Sequence, residues 1–306
     1  MMAMSKTLIA SESPRGREIL RNMALGLDAA GLDEAGLQRI VERARELQKG
    51  TTTLATELSI TDRYIDQQVA SACAYPPEYQ GAKDLHAQLQ ALVGILPGLD
   101  PEPALRWYND VYTKLEVPDW VEGVFAVPSE FALQRLFHPN IIDRAEAYCA
   151  SVNLLMGKLA SSRPSYNYRD GQIDQSHLWR TERTTLMLDA LWEMQDKPDF
   201  IVLPAQLGMR HRGRSVLRAH ECFVASEFGG GSLEGLPITL THPERFVRWE
   251  QLRMDLAGDE FSSGADGQAD EAPYLDFYDG EVKFDAYYHG NAYENFGALS
   301  CWLPPQ

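Results

Sequence analysis

The C-terminal residues 273–306 read PYLDFYDGEVKFDAYYHGNAYENFGALSCWLPPQ, and this segment carries the strongest structural signal in the chain. Aromatic side chains crowd it, interleaved with Asp, Asn, Gly, Ala, His and Ser. Aromatic residues are enriched in β-strands, and Asp279-Gly280 has the composition of a tight hairpin turn. The segment therefore predicts terminal β-strands, whose aromatic side chains either pack on the core or form a recognition surface.

The mixture of residue types favours recognition as one of these two interpretations. Tyrosine and tryptophan give large, rigid contact areas at low entropic cost, while serine, glycine and asparagine adapt their hydrogen bonding. On this interpretation residues 285–301 present the ligand surface, and Trp302 anchors the segment in the core. The predicted contact residues are Tyr287, Tyr288, His289, Asn291, Tyr293, Asn295 and Phe296.

The same segment has an unusual relation to the genetic code. Random replacement of the two adenines in an asparagine codon, AAC or AAT, gives a set of amino acids that lacks Lys, Gln, Glu, Met and Trp. Every residue from Asp285 to Cys301 except Glu294 belongs to this set. The segment resembles the variable proteins of diversity-generating retroelements, in which adenine-directed mutagenesis rewrites ligand-contacting positions near the end of a C-type-lectin-like domain. The resemblance implies a C-type-lectin-like C-terminal module, no enzymatic activity, and a protein or other macromolecule as the ligand.

Blocks in the middle of the chain resemble a second family, an uncharacterised bacterial protein family. The blocks are residues 166–172 (YNYRDGQ), 203–208 (LPAQLG), 210–216 (RHRGRSV) and 240–245 (LTHPER). This resemblance implies no activity and supplies no catalytic residue.

Composition limits the classes of partner. The chain has 306 residues, a formal net charge of -16 and 44% hydrophobic residues, so it is long enough to bury a full core. Its negative field opposes nucleic acid and anionic membranes. No apolar run approaches the ~20 residues of a membrane span, and no signal peptide is recognised, so we expect a cytoplasmic protein. The four cysteines are scattered, and we predict no zinc site, disulfide framework or cofactor.

The order of the predicted elements argues for an α+β fold. We divide the chain into a mainly helical part over 1–100, a proline-rich and aromatic connector over 101–139, and an α+β module over 140–306. Asp33 is placed to cap a helix. Further helices are predicted over residues 61–72, 82–96, 141–159, 175–194, 215–228 and 243–256, and strands over 123–128, 200–204 and 237–241.

An arginine-rich turn provides the main alternative to the recognition surface. Arg210, Arg212 and Arg214 lie between a predicted strand and a predicted helix, where backbone N–H groups and the helix dipole favour anions. They either bind a phosphate or carboxylate, or pair with carboxylates of the 255–285 region. The corresponding alternative function is an intracellular enzyme acting on an anionic small molecule, with His211 or His242 beside these arginines.

Two further segments have compositions typical of ligand sites. The run from Gly229 to Ser232 is predicted to follow a helix, which fits a C-cap and loop better than a phosphate cradle. The acidic segment 259–271 lacks the ligand spacing of an EF-hand, and we interpret it as a solvated loop rather than a calcium site.

Overall fold

The computed structural model describes residues 14–44, 46, 47, 50, 51, 54, 63–264 and 267–305. The chain divides into two compact units, residues 1–59 and 60–306. The first unit contains helices α1 (Pro14–Ala29) and α2 (Glu34–Glu42). As predicted, Asp33 caps α2, because its carboxylate accepts a 2.7 Å hydrogen bond from the Gly36 N–H.

The second unit combines helices and two β-sheets, which confirms the predicted α+β fold. Its helices are α3 (Leu85–Ile95), α4 (Glu102–Asp110), α5 (Glu130–Phe137), α6 (Arg144–Ser162), α7 (Glu182–Met194), α8 (Val216–Cys222) and α9 (Ser232–Thr241). Most begin at a residue whose side-chain oxygen accepts a backbone N–H of the first turn, as short polar residues do at N-caps. These caps are Asp84, Ser129, Asp143, Thr181 and Ser215.

The first sheet has four antiparallel strands. They are β1 (Gly123–Pro128), β4 (Phe200–Gln206), β5 (Glu227–Gly229) and β10 (Ser300–Trp302), in the order β1-β4-β10-β5. Every residue of β4 is buried. Because β10 lies between β4 and β5 in this order, the strand closest to the C-terminus is paired on both sides.

The second sheet has six strands. They are β2 (Ser165–Asn167), β3 (Leu178–Arg180), β6 (Met254–Asp255), β7 (Asp259–Phe261), β8 (Glu271–Tyr278) and β9 (Glu281–Tyr288). The order is β2-β9-β8-β7-β3, with β6 also paired to β8, and only the β2–β9 pair is parallel among the described strand pairs. The β8–β9 hairpin turns at Asp279 (φ 53°) and Gly280 (φ 79°), as predicted.

One large core joins the helices to both sheets. Helix α9 packs against α6, α3 and β1, and α7 packs on β5. The core contains Phe125, Leu155, Phe200, Leu236, Phe284 and Trp302. Each of the described helices is too short or too polar to cross a membrane.

Several sequence-based element boundaries are wrong. Helix α7 begins at Glu182 instead of Gln175, because residues 178–180 pair with β7 as β3. Helix α8 ends at Cys222, and Phe228 lies in β5. Residues 243–256 form a short 3-10 turn followed by loop and strand β6 rather than a helix. Residues 63–72 form turns and a bridge instead of a helix, and positions 61 and 62 lie outside the described residues.

The predicted strand over 237–241 is also wrong, since these residues form the second half of α9. A short apolar run fits a buried helix as well as a buried strand, so its periodicity does not distinguish the two.

The glycine run precedes a helix, contrary to the sequence-based prediction. It joins β5 to α9, and the Ser232 N–H at the start of α9 donates to Asp259 Oδ2 at 2.7 Å. A Cβ atom at Gly231 would lie only 2.3 Å from Asp259 Oδ1. The N-terminus of α9 therefore already holds a carboxylate of the protein itself, and the run is a tightly packed turn.

Candidate functional site

One face of the six-stranded sheet carries tyrosines and charged side chains. Residues two apart on a strand share a face, and so do directly paired residues on neighbouring strands. Lys283, Asp285 and Tyr287 therefore share one face of β9, and the register pairs Tyr166 with Lys283 and Tyr274 with Asp285. The face thus extends from β2 across β9 to β8.

After β9 the chain forms a loop over residues 289–299, here called the tail loop, which leads into β10. Its backbone is fixed by hydrogen bonds from distant parts of the second unit. The carbonyls of His289, Asn295, Phe296 and Gly297 accept from the N–H groups of Leu217, Arg253, Gly213 and Asp255 at 3.2, 2.7, 2.8 and 3.0 Å. The tail loop is therefore held by main-chain atoms.

Several side chains around the tail loop point to solvent. Tyr287, Tyr288 and Tyr293 are 42%, 48% and 37% exposed, and Asn291 is exposed as well. The hydroxyls of Tyr287 and Tyr293 lie 2.7 Å apart and their rings 5.6 Å apart. Tyr288 follows Tyr287 directly, so strand alternation directs it to the other side of β9. Exposed side chains therefore lie on both faces of β9 at its C-terminal end.

The other predicted contact residues are less accessible. His289 and Asn295 are half-buried, and burial lowers the pKa of His289 although Asp270 opposes the shift. Phe296 is only 8% exposed, and its ring packs against Tyr274 and Tyr293 at 5.2 and 5.3 Å. The ring of Phe296 thus packs against Tyr293 from the buried side, and this favours a supporting role over the predicted ligand contact.

Sequence reasoning missed two tyrosines on the same face. Tyr166 and Tyr168 are 53% and 54% exposed, and their rings pack edge to face at 4.8 Å. The ammonium of Lys283 lies 5.1 and 5.8 Å from the two ring centres, within the range of a cation–π interaction. The alternation Tyr166-Asn167-Tyr168 is the signal that places both rings on one side of a strand.

Ion pairs fix the strands that carry this face. Arg169 donates to the Asp285 carboxylate and to the Ala286 carbonyl, both at 2.7 Å, and so ties β9 to the loop after β2. Arg253 lies 3.2 Å from Asp276. Burial raises the pKa of Asp276, and Arg253 opposes that rise. The charged groups of the face are therefore largely engaged within the protein.

A buried carboxylate, Glu227, holds β10 beneath the tail loop. It accepts from Ser300 Oγ and His211 Nε2, both at 2.7 Å, and from Arg210 Nε at 3.0 Å. Since His211 Nε2–H donates to Glu227, His211 Nδ1 is free to accept from Arg214 at 3.0 Å. Burial lowers the pKa of His211 despite Glu227, and this matches the neutral tautomer.

Burial would raise the pKa of Glu227, but the hydrogen bonds and charges of its partners outweigh burial and lower it. Glu227 is therefore an ionised hub in which every hydrogen bond is made with the protein itself. Glu227 lies at the start of β5 and accepts a hydrogen bond from Ser300 of β10, so it fixes β10 against β5.

The arginine-rich turn is part of this hub and does not form an open anion site. Arg210 pairs with Glu227 and lies over the Trp120 ring at 4.9 Å. Arg212 donates to the Cys73 carbonyl at 3.1 Å, and Arg214 bonds His211. Two of the arginines are thus bound to the Glu227 hub, whereas the sequence suggested carboxylates of the 255–285 region. The geometry does not support the predicted anion-binding role of Arg210, Arg212 and Arg214.

A second buried network lies at the start of α9. Arg180 bridges Glu130 at 2.9 Å and Glu234 at 2.8 Å, and Tyr148 donates to Asp259 at 2.5 Å. Burial raises the pKa of Glu234 and of Asp259, with Arg180 acting against it. These titratable groups converge in the interior, where they bind one another.

Surface pockets lie elsewhere. One, of about 630 Å³, is formed by Trp249, its neighbours and the β8–β9 turn. Another, of about 360 Å³, lies between α3 and α4. Neither is lined by a predicted site residue. Within the described ranges, no cluster of three or more His, Cys, Asp and Glu side chains could hold a metal ion; Asp266 of the acidic segment lies outside those ranges.

Comparison with known proteins gives no assignment. No protein-family model matches the chain, and searches of curated proteins and of solved structures found no significant match. The C-type-lectin-like module therefore remains a prediction.

Proposed function

We propose that this protein is a non-enzymatic binding protein that presents a diversified surface around the tail loop. One observation carries the proposal, namely that main-chain hydrogen bonds fix the tail loop at His289 and over 295–297, while Tyr287 and Tyr288 at the end of β9 and Asn291 and Tyr293 of the loop project to solvent. Main-chain hydrogen bonds do not depend on side-chain identity. Such a segment keeps its path when its exposed residues change, as the resemblance to retroelement variable proteins requires.

The exposed residues suit a macromolecular ligand. Tyrosine side chains supply rigid, amphipathic contact area, and here they are exposed at the end of β9 and on the tail loop instead of lining an enclosed cavity of the kind that holds small molecules. Tyr166 on β2 and Tyr168 directly after it extend the surface with residues outside the diversified segment. In this proposal the ligand is a protein or another macromolecule, and no cofactor takes part.

The alternative function, an intracellular enzyme for an anionic small molecule, loses its support from the arginine-rich turn. Arg210 and Arg212 already donate to Glu227 and to the Cys73 carbonyl. His242 is buried and accepts the Lys83 N–H at 2.9 Å. No observation on these residues favours a substrate over the contacts they make.

A displayed library tests the proposal directly. Codons 287, 288, 291 and 293 are randomised on the surface of yeast, and display of folded, protease-resistant protein is measured before selection against a panel of purified proteins. We expect most members to fold and some to bind individual targets.

The matched control library randomises the same number of buried positions, namely Ser300, Cys301, Trp302 and Phe228, and we expect few folded members from it. Equal loss of folding in both libraries, or no binder from the tail library, would contradict the proposal. Genomic sequence supplies an independent test, because a neighbouring reverse transcriptase gene and a near-copy of the 3′ coding end that differs at adenines are expected.

A further inference from the structure

The pocket beside the β8–β9 turn is bordered by two aromatic rings whose faces are open. Trp249 and Tyr278 are 60% and 54% exposed, and both line the cavity of about 630 Å³. The other exposed aromatic rings each pack against a ring or a cation, and they are Tyr166, Tyr168, Tyr287, Tyr288 and Tyr293. Within the described residues Trp249 and Tyr278 have no such contact, so their faces are available to a ligand.

The fold holds both of these rings on anchored backbone. Phe246, which precedes the loop that carries Trp249, is fully buried, and Arg163 donates to its carbonyl at 2.6 Å. Tyr278 is the last residue of β8 and pairs with Glu281 across the hairpin. A ligand therefore binds to walls that are already formed, without the entropic cost of ordering a loop.

The charges around the pocket favour a cation. Arg248 is its basic lining residue, and Arg248 Nε lies 3.0 Å from both carboxylate oxygens of Glu78, so this charge is neutralised. Glu250 and Asp279 also line the pocket, and neither carboxylate forms a hydrogen bond or ion pair with another described residue. Two acidic charges therefore remain, in a chain whose net charge is -16. A cationic ligand offsets these charges, whereas an anion is repelled.

A third ring in the pocket already has a cation beside it. The Arg163 guanidinium lies 5.8 Å from the centre of the Phe277 ring. It donates to the carbonyls of Pro243 and Phe246, both at 2.6 Å, and is thus held in this position. A second cation over Phe277 would be repelled by Arg163, so the rings open to a cationic ligand are those of Trp249 and Tyr278.

We propose that this pocket binds a small molecule that carries a quaternary ammonium group and no acidic group, such as choline. A quaternary ammonium has no N–H that requires an acceptor, and it binds over the faces of tryptophan and tyrosine rings by cation–π interactions. A neutral apolar ligand would also contact the rings, but it would desolvate the carboxylates of Glu250 and Asp279 without compensation. The volume lies in the range of small-molecule sites. None of the lining residues belongs to the tail loop, so the pocket can be tested independently of the proposed function.

Isothermal titration calorimetry of the full-length chain with choline chloride tests the ligand class. The control ligand is dimethylbutanol, the neutral carbon analogue of choline, titrated in the same buffer. We expect choline to bind at least about tenfold more tightly than this analogue, because only the cation gains from the ring faces and the carboxylates. Added sodium chloride should weaken choline binding, since salt screens charges near the surface.

Substitutions separate the contribution of the ring from that of the charges. Trp249→Ala should weaken choline binding by about tenfold or more, while Trp249→Phe keeps an aromatic face and should retain part of the affinity. Glu250→Gln combined with Asp279→Asn should lower the affinity for choline and not that for the neutral analogue. Asparagine tolerates the positive φ of position 279, so the turn is kept. The control Glu193→Gln alters an exposed carboxylate on α7 and should leave choline binding unchanged.

Three results would overturn the proposal. The first is the absence of choline binding at about 10 mM, a concentration that fills even a millimolar site. The second is equal affinity for choline and its neutral analogue, or choline binding that Trp249→Ala leaves unchanged in a variant whose circular dichroism matches the wild type. The third is binding of a trimethyllysine peptide without binding of choline, which would assign the pocket to a protein ligand.

Discussion

Two neighbouring parts of the C-terminal segment behave in opposite ways. Main-chain hydrogen bonds to distant residues anchor His289 and residues 295–297, and several side chains from Tyr287 to Tyr293 project into solvent. From Ser300 to Trp302, by contrast, every residue is buried in the sheet that contains β4 and β5. The two parts are separated by only a few residues. In the proposed function the first part is a replaceable surface secured by main-chain hydrogen bonds, and the second is a strand secured by side-chain packing.

The largest expected difference between the two parts is in stability. Trp302 is 3% exposed in the core, so Trp302→Ala should lower the free energy of unfolding by about 3–5 kcal/mol. Trp249, which is 60% exposed, provides a control of the same residue type. Urea denaturation measures both variants. Similar midpoints for Trp302→Ala and Trp249→Ala would show that β10 is not the anchor described here.

A second expected difference is in pH dependence, which belongs to the buried interior. Burial lowers the pKa of His242 to about 4, and its Nε2 accepts the Lys83 N–H only while neutral. A histidine whose folded-state pKa lies below its unfolded value stabilises the fold in its neutral form. The contribution is therefore lost as the pH falls from about 6.5 towards 4, by about 3 kcal/mol in total.

His242→Gln keeps an acceptor but removes the titration, so the stability of this variant should fall less steeply between pH 7 and 4.5 than that of the wild type. Urea denaturation at several pH values measures the slopes, with the exposed residue change His86→Gln as control. Parallel slopes for wild type and His242→Gln would refute the assignment.

A smaller effect is expected from Ser300, which belongs to the buried strand. Its hydroxyl donates to Glu227 at 2.7 Å and accepts from Gln206 at 2.8 Å. Ser300→Ala leaves both partners one hydrogen bond short and should cost about 2 kcal/mol. Thermal unfolding measures the loss, and a neutral result would mean that the Glu227 hub does not hold β10.

The smallest effect should come from the exposed side chains. Tyr288→Ser and Asn291→Ala change residues that contact solvent, and surface substitutions of this kind usually stay within about 0.5 kcal/mol. The melting curves of both variants should overlay that of the wild type while binding to a selected target is lost. If either variant unfolds as readily as Trp302→Ala, the recognition hypothesis is wrong.

The sequence predicted local features better than it predicted pairings. The bounds of β1, the cap at Asp33 and the turn at Asp279-Gly280 follow from signals within a few residues, and all three are confirmed. The placement of β10 between β4 and β5 depends on contacts about 70 to 100 residues away along the chain, which no local pattern encodes.

The candidate site shows the same limit. The exposure of Tyr287, Tyr288 and Tyr293 agrees with the composition of the segment, but the parallel pairing of β2 with β9 brings in Tyr166 and Tyr168 from a distant block. The burial of Phe296 was missed because an aromatic ring that binds a ligand and one that supports its neighbour look alike in sequence. Only the arrangement of Tyr274 and Arg253 around the ring distinguishes them.

The crossing of Gly208 and Gly297, where the tail loop turns into β10, has a consequence at the level of the gene. A Cβ atom at Gly297 would lie 2.3 Å from the Gly208 carbonyl oxygen, so no other amino acid fits there. Glycine codons begin with GG and offer an adenine-directed process nothing to rewrite in their first two positions. Codons for Tyr, His, Asn, Asp and Glu, by contrast, carry adenine in the second position, and these residues fill eight of the twelve positions from 285 to 296. If the proposed diversification operates, a template that encodes glycine at 297 would thus keep this position unchanged by its codon alone, without selection against misfolded products.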